Sequence, residues 1–114
     1  MKISQLAKAT DITKDTVRLY ERLGLLVEIG RPFQSNNYKD YGEANVDRIT
    51  LIRQMQQVGF SLHDCKLVLM STQDGDFDMD LRAIMLQEKI EQIDGKIKEM
   101  KKLKQRLLGF ITEE

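Results

Sequence analysis

At 114 residues the chain suits one compact globular unit, or a smaller head carrying an extended helix, rather than two independent domains or a roomy buried active site. A single cysteine excludes an intrachain disulfide, and 32% charged residues with one proline and no tryptophan point to exposed helices rather than a β-sandwich or a disulfide scaffold. Eighteen Lys/Arg balance eighteen Asp/Glu, so any nucleic-acid partner has to be read from where the charges fall.

The first helix is expected to start at Ser4, whose hydroxyl can cap the next turn, to turn Leu6 and Ala7 inward, and to end near Thr10. Asp11-Ile12 makes a tight turn. Thr13 caps a second helix whose buried stripe is Val17, Tyr20 and Leu23, with Gly24 stopping it. Two short helices separated by so few residues form a helix-turn-helix. The second leaves Lys14, Asp15, Arg18 and Leu19 off the buried stripe, where its N-terminal half can enter a DNA major groove.

Helical periodicity lapses over residues 25–41. Leu25-Leu26-Val27 and Tyr38-Lys39-Asp40-Tyr41 read as two extended segments around a turn at Asn36-Asn37, a β-wing. A third helix follows from Gly42-Glu43 to Gly59, with Val46, Ile49, Ile52 and Met55 inward. Ser61-Leu62-His63-Asp64 then has the form of a capping box opening a fourth helix, with Leu62, Cys65, Val68 and Leu69 on one side.

Residues 71–78 form a polar connection. Beyond it Met79, Ala83, Leu86, Ile90, Ile93, Ile97, Met100, Leu103, Leu107 and Phe110 recur at steps of three and four, with one phase shift at Met100. Such a helix is too long to bury this stripe on its own head, so it needs a partner helix. Gly95 marks either a close approach of that partner or a tolerated weak point. The expected organisation is a DNA-binding head at 1–70, a linker at 71–78 and a dimerisation helix at 79–114. Met1 leads into a polar segment without the pattern of a secretory leader, and no run reaches the ~20 apolar residues of a membrane span. A soluble, cytoplasmic protein is expected.

With these elements in place, the chain resembles the MerR family over nearly its whole length. The resemblance is carried by Ile3-Ser4-Gln5-Leu6-Ala7-Lys8, by the run Thr13-Lys14-Asp15-Thr16-Val17-Arg18-Leu19-Tyr20-Glu21-Arg22-Leu23-Gly24-Leu25, by Tyr38-Lys39-Asp40-Tyr41 and by Ile52-Arg53-Gln54 through Val58-Gly59-Phe60-Ser61-Leu62. It implies a mainly α fold: a winged helix-turn-helix head and a long C-terminal helix forming an antiparallel coiled-coil homodimer. It also implies a transcriptional regulator on double-stranded promoter DNA that distorts an overlong spacer and reaches RNA polymerase through the promoter. An architectural or excisionase-like DNA-bending protein is the alternative, disfavoured by the long stripe.

Carried over residue by residue, the DNA contacts implied are Lys14, Arg18 and Tyr20 on the recognition helix, Arg31, Tyr38 and Lys39 on the wing, and Arg53 on the following helix pair. Arg18 is the base reader; the other cations hold phosphate. Leu86, Ile90, Ile93, Ile97, Met100, Leu103 and Leu107 form the dimer seam. The family's usual turn glycine is Asp11 here, and its usual wing arginine is Lys39, a point charge rather than a bidentate fork.

Chemistry beyond DNA is sparse. Metal-sensing relatives carry cysteines at the start of the dimer helix, where this chain has Asp78-Met79-Asp80, so no metal or other cofactor is expected. Aldehyde-responsive relatives carry a cysteine in the third helix, where this chain has Gln54. Cys65 reads as a small buried hydrophobe and His63 as a surface side chain. Asp74, Asp76, Asp78 and Asp80 fail the calcium-loop pattern, since the sixth position is Met79 and the twelfth Met85. No nucleophile and base lie together and no phosphate loop is present, so an enzyme is not expected. Any small-molecule effector is left unidentified.

Overall fold

The computed structural model describes residues 1–31, 38–70 and 78–112. Five helices and a two-stranded ribbon follow in the order α1 (Ile3–Thr10), α2 (Lys14–Arg22), β1 (Ile29–Gly30), β2 (Asp40–Tyr41), α3 (Ala44–Gln57), α4 (Leu62–Leu69) and α5 (Met79–Thr112). The chain divides into two units, Met1–Ser71 and Thr72–Glu114.

In the first unit, α1 begins nearer the N-terminus than its sequence suggests. Ser4 lies inside the helix, and the free N-terminal amide at Lys2 is taken by the Gln5 side chain at 2.7 Å. The helix closes on Asp11, held in the left-handed conformation (φ 56°), with Ile12 N–H returning to the Ala7 carbonyl at 3.1 Å. α2 closes the same way on Gly24 (φ 77°), with Leu25 N–H on the Tyr20 carbonyl at 2.9 Å. Both turns thus satisfy orphan carbonyls by the same six-to-one return. One uses glycine, which has no Cβ to clash, and the other an aspartate, which visits this region at modest cost.

Thr13 caps α2, its hydroxyl accepting Thr16 N–H at 3.1 Å, as expected from sequence. The Ser61–Asp64 box is also present, each side chain bonded to the other's main-chain amide at 3.0 Å.

The ribbon is shorter and lies later than expected. Leu25-Leu26-Val27 is not a strand; Leu25 and Leu26 are buried in the core, and the pairing is Ile29 with Tyr41 and Gly30 with Asp40, antiparallel. The approach is tight beside it. Gly42 N–H donates to the Glu28 carbonyl at 2.8 Å, and a side chain on Gly42 would meet the Glu28 Cβ at 2.7 Å. The expected turn at Asn36-Asn37 lies outside the described residues.

The core joins α1, α2, β2 and α3 through Leu6, Val17, Leu25, Tyr41, Ile49 and Ile52. Three inward assignments need correction. Leu23, expected in the buried stripe of α2, is the cap that follows the helix and is only half-buried. On α3 the buried residue of the first turn is Asn45 rather than Val46, because Asn45 supplies hydrogen bonds that the strand-free segment before β1 lacks. On α4 Cys65 and Leu67 are the buried residues, while Leu62, Val68 and Leu69 are half-buried.

The second unit is α5, an uninterrupted helix of 34 residues, which spans about 51 Å at 1.5 Å per residue. Along the expected seam Ile90, Ile97, Met100, Leu103 and Leu107 are 47–65% exposed, and Leu86 and Ile93 are half-buried. No helix among the described residues is long and apolar enough to cross a membrane.

Candidate nucleic-acid interface

The helical repeat places Lys14, Arg18 and Arg22, at four-residue steps, along one exposed face of α2. The opposite face, carried by Val17 and Tyr20, is buried and anchors the helix to the head. Arg18 touches Asp15 at 3.0 Å, but both groups are open to water, and a pair of that kind holds a guanidinium weakly.

Between this face, the N-terminus of α1 and the ribbon lies an open concavity of about 470 Å³ lined by Lys2, Ser4, Arg18, Arg31, Tyr38 and Lys39 among others. The Lys2 ammonium stands 5.6 Å from the centre of the Tyr38 ring. Four cations converge there from three elements remote in sequence, which is how a phosphate backbone is gripped. At the other end of α2, Arg22 joins His63 and Lys66 around a second cleft of about 300 Å³.

An acid, Glu21, is bonded to two residues that line the main concavity, Lys39 and Tyr41. Glu21 Oε1 accepts the Tyr41 hydroxyl at 2.6 Å, and Oε2 accepts the Lys39 ammonium. Burial by itself would raise the Glu21 carboxyl. The hydrogen bonds from Lys39 and Tyr41, with the charges of Lys39 and Arg31, outweigh it and hold the group below its ordinary value. The same contact, after burial, pushes the Tyr41 phenol up to about 12.

Lys14, Arg18 and Arg31 are exposed on this face, and Tyr38 and Lys39 are half-buried at its edge. Two further expected DNA contacts have partners within the head. Tyr20 is buried, its hydroxyl 3.0 Å from Gln56 Oε1, because the ring belongs to the inward stripe of α2. Arg53 is half-buried and donates to the Thr10 carbonyl at 2.8 Å, closing the last turn of α1 rather than standing free.

Sequence reasoning missed Lys2 and Ser4, which reach the concavity only through the docking of α1, and Glu21, whose partners lie about twenty residues away. The one available signal was an acid set among the cations of the recognition helix.

Elsewhere chemistry is spare. Cys65 is fully buried, and its thiol is raised by that burial and by the nearby Asp64 charge. His63 is exposed. Among the described residues no three His, Cys, Asp or Glu gather as a metal site; Asp74 and Asp76 lie outside them.

Comparison with known proteins gives a consistent answer. Residues 1–72 match the MerR HTH family regulatory protein model, and residues 46–110 match the model for MerR, DNA binding. The HTH-type transcriptional regulator CueR of Vibrio cholerae is 37% identical over 113 residues, spanning 98% of this chain and 79% of the relative. The mercuric resistance operon regulatory protein of Bacillus cereus is 34% identical over 110 residues, spanning 96% and 81%. Among solved structures, a MerR family transcriptional regulator from Listeria monocytogenes superposes with a TM-score of 0.70 at 26% identity, covering 99% of this chain and 87% of that one. HiNmlR, a MerR family regulator lacking the sensor domain and bound to promoter DNA, shares the fold with a TM-score of 0.72 at 23% identity, covering 97% and 88%.

Proposed function

The chain belongs to the MerR family of DNA-binding transcriptional regulators, which are not enzymes, and from that premise we propose that it acts as a homodimeric clamp on promoter DNA. The observation that carries the reading is the apolar seam of α5, left about half exposed over some 20 residues from Leu86 to Leu107. Heptad-like spacing on a helix this long is buried by a second copy, antiparallel to the first. Residues 1–70 are then the head, 71–78 the linker and 79–114 the dimerisation helix.

Two heads tied to a stiff coiled coil have a fixed separation. A duplex meeting both recognition helices must deform, at a cost of order 1–6 kcal/mol, offset by phosphate contacts. In this reading Arg18 reads a base edge, Lys14, Arg31 and Lys39 hold phosphate, Tyr38 lines the wing, and the distorted spacer lets RNA polymerase engage the promoter in the cytoplasm. Tyr20 and Arg53 support the face from behind.

One relative is named for mercuric resistance, and one similar structure, PbrR691 of Ralstonia metallidurans, was solved with lead(II). In this chain the only thiol is buried and held protonated, which suits packing and not a soft ion. The test is to enrich duplexes from the gene's own upstream region by binding, then measure bend angle and transcription with RNA polymerase. A bound duplex that remains straight, or a complex with one protomer, defeats the clamp.

A further inference from the structure

Lys39 and Tyr41 are two residues apart on the wing, so the strand repeat turns both toward α2 while Asp40 between them points away, its side chain 56% exposed. Both oxygens of Glu21 are occupied by this pair. Glu21 and Lys39 retain only 20% and 29% side-chain exposure, so their bond is less screened than a surface pair yet lies at the rim of the basic concavity. A carboxylate in that position repels phosphate and occupies one of the four cations available to bind it. An interface built only for affinity gains nothing from it.

We propose that Glu21 is a positioning and specificity-determining residue: it clasps the wing to the recognition helix and withholds Lys39 from phosphate until a cognate duplex is seated. The proposal rests on the DNA-facing reading of this concavity. On a loosely held, non-specific duplex Lys39 stays with Glu21. On a duplex docked against α2, a backbone phosphate displaces the carboxylate as partner of the ammonium, so the lysine contributes only where the recognition helix already fits. Discrimination then comes from a contact denied to the wrong DNA as well as from contacts made to the right one.

The test is fluorescence titration of Glu21→Gln, Lys39→Met and the double variant against a selected duplex and a mixed-sequence duplex across a salt series. Glu21→Gln keeps the side-chain shape and an acceptor for Tyr41. It should bind mixed-sequence DNA several-fold more tightly, steepen the salt slope by about 0.9 for each protomer bound, and lower the specificity ratio. The double variant should lose that gain. Lys39→Met alone should weaken selected DNA, which loses a phosphate contact, by clearly more than mixed-sequence DNA, which meets only the uncovered Glu21 carboxylate, a readout that stands even if Glu21→Gln folds poorly. Unchanged mixed-sequence binding and slope in Glu21→Gln, or a gain that persists in the double variant, overturns the clasp. If Arg18→Ala and Arg31→Ala also bind normally, the DNA face itself is misassigned, which separates the two failures.

Discussion

The side chain of Asn45 answers both main-chain groups of Val27: Oδ1 accepts the Val27 N–H at 2.9 Å and Nδ2 donates to the Val27 carbonyl at 2.7 Å. Nδ2 also reaches the Gly42 carbonyl at 3.1 Å. One fully buried amide therefore substitutes for a missing strand neighbour and fixes where the wing leaves the head.

Replacing Asn45 with Leu keeps the volume but strands two polar groups of Val27. The expected loss is about 1–3 kcal/mol of unfolding free energy, read from urea denaturation. A cost near zero would mean that water or a shifted main chain serves Val27 equally well.

The seam of α5 makes a paired prediction. Replacing both Ile93 and Ile97 with Asp should convert a sedimenting dimer into a folded monomer and abolish tight binding to a selected duplex. Gly95 lies about 180° around the helix from the seam's centre, with nothing within 4 Å of an added Cβ. Gly95→Ala should therefore stabilise the protein by about 1 kcal/mol and leave the dimer intact. Disruption of the dimer by Gly95→Ala would place the partner on the wrong face.

Arg18 and Arg31 should separate as reader and anchor. If Arg18 grips a guanine edge, Arg18→Ala costs about 1–3 kcal/mol per half-site and relaxes the preference there. Arg31→Ala should weaken selected and mixed-sequence DNA alike and reduce the salt slope by about 1 for each phosphate no longer held. Equal effects of both variants on mixed-sequence DNA would remove the distinction.

Alkali should destabilise the head. The Tyr41 phenol sits near 12, and burial raises the Tyr20 phenol and the Cys65 thiol above 10.0 and 9.0 respectively. The native state binds these protons more tightly than the unfolded chain. Their contribution is therefore complete below those ordinary values and is lost as pH climbs toward about 12. Glu21 has the opposite sign: its contribution is present above 4.5 and is lost as pH falls through its depressed native value. Denaturation midpoints followed upward from neutral pH should fall earlier in the native protein than in Tyr41→Phe. A parallel course would detach Tyr41 from the effect.

Cys65 should behave as packing. Its thiol should react slowly with disulfide reagents until the protein unfolds, and Cys65→Ala should cost about 1 kcal/mol while leaving DNA binding unchanged by oxidants. An oxidant response in the native protein that vanishes in Cys65→Ser would make it a sensor.

By itself the sequence determined the elements whose signals are local. Thr13 and the Ser61–Asp64 box cap helices through bonds spanning three residues, Gly24 stops α2 through its own backbone freedom, and the seam of α5 is a repeat legible in one dimension. Resemblance supplied the family from the same contiguous runs. What depended on distant partners was decided by tertiary structure. That Tyr20 and Arg53 bond to Gln56 and Thr10 follows only from the docking of α3 on the first two helices. Val46 read as core until the segment before β1 took Asn45, and Lys39 read as a free cation until the ribbon brought it to Glu21. Local chemistry says which groups a residue can satisfy; only the packed chain says which one it meets, because an unpaired buried polar group is costly enough to choose the partner.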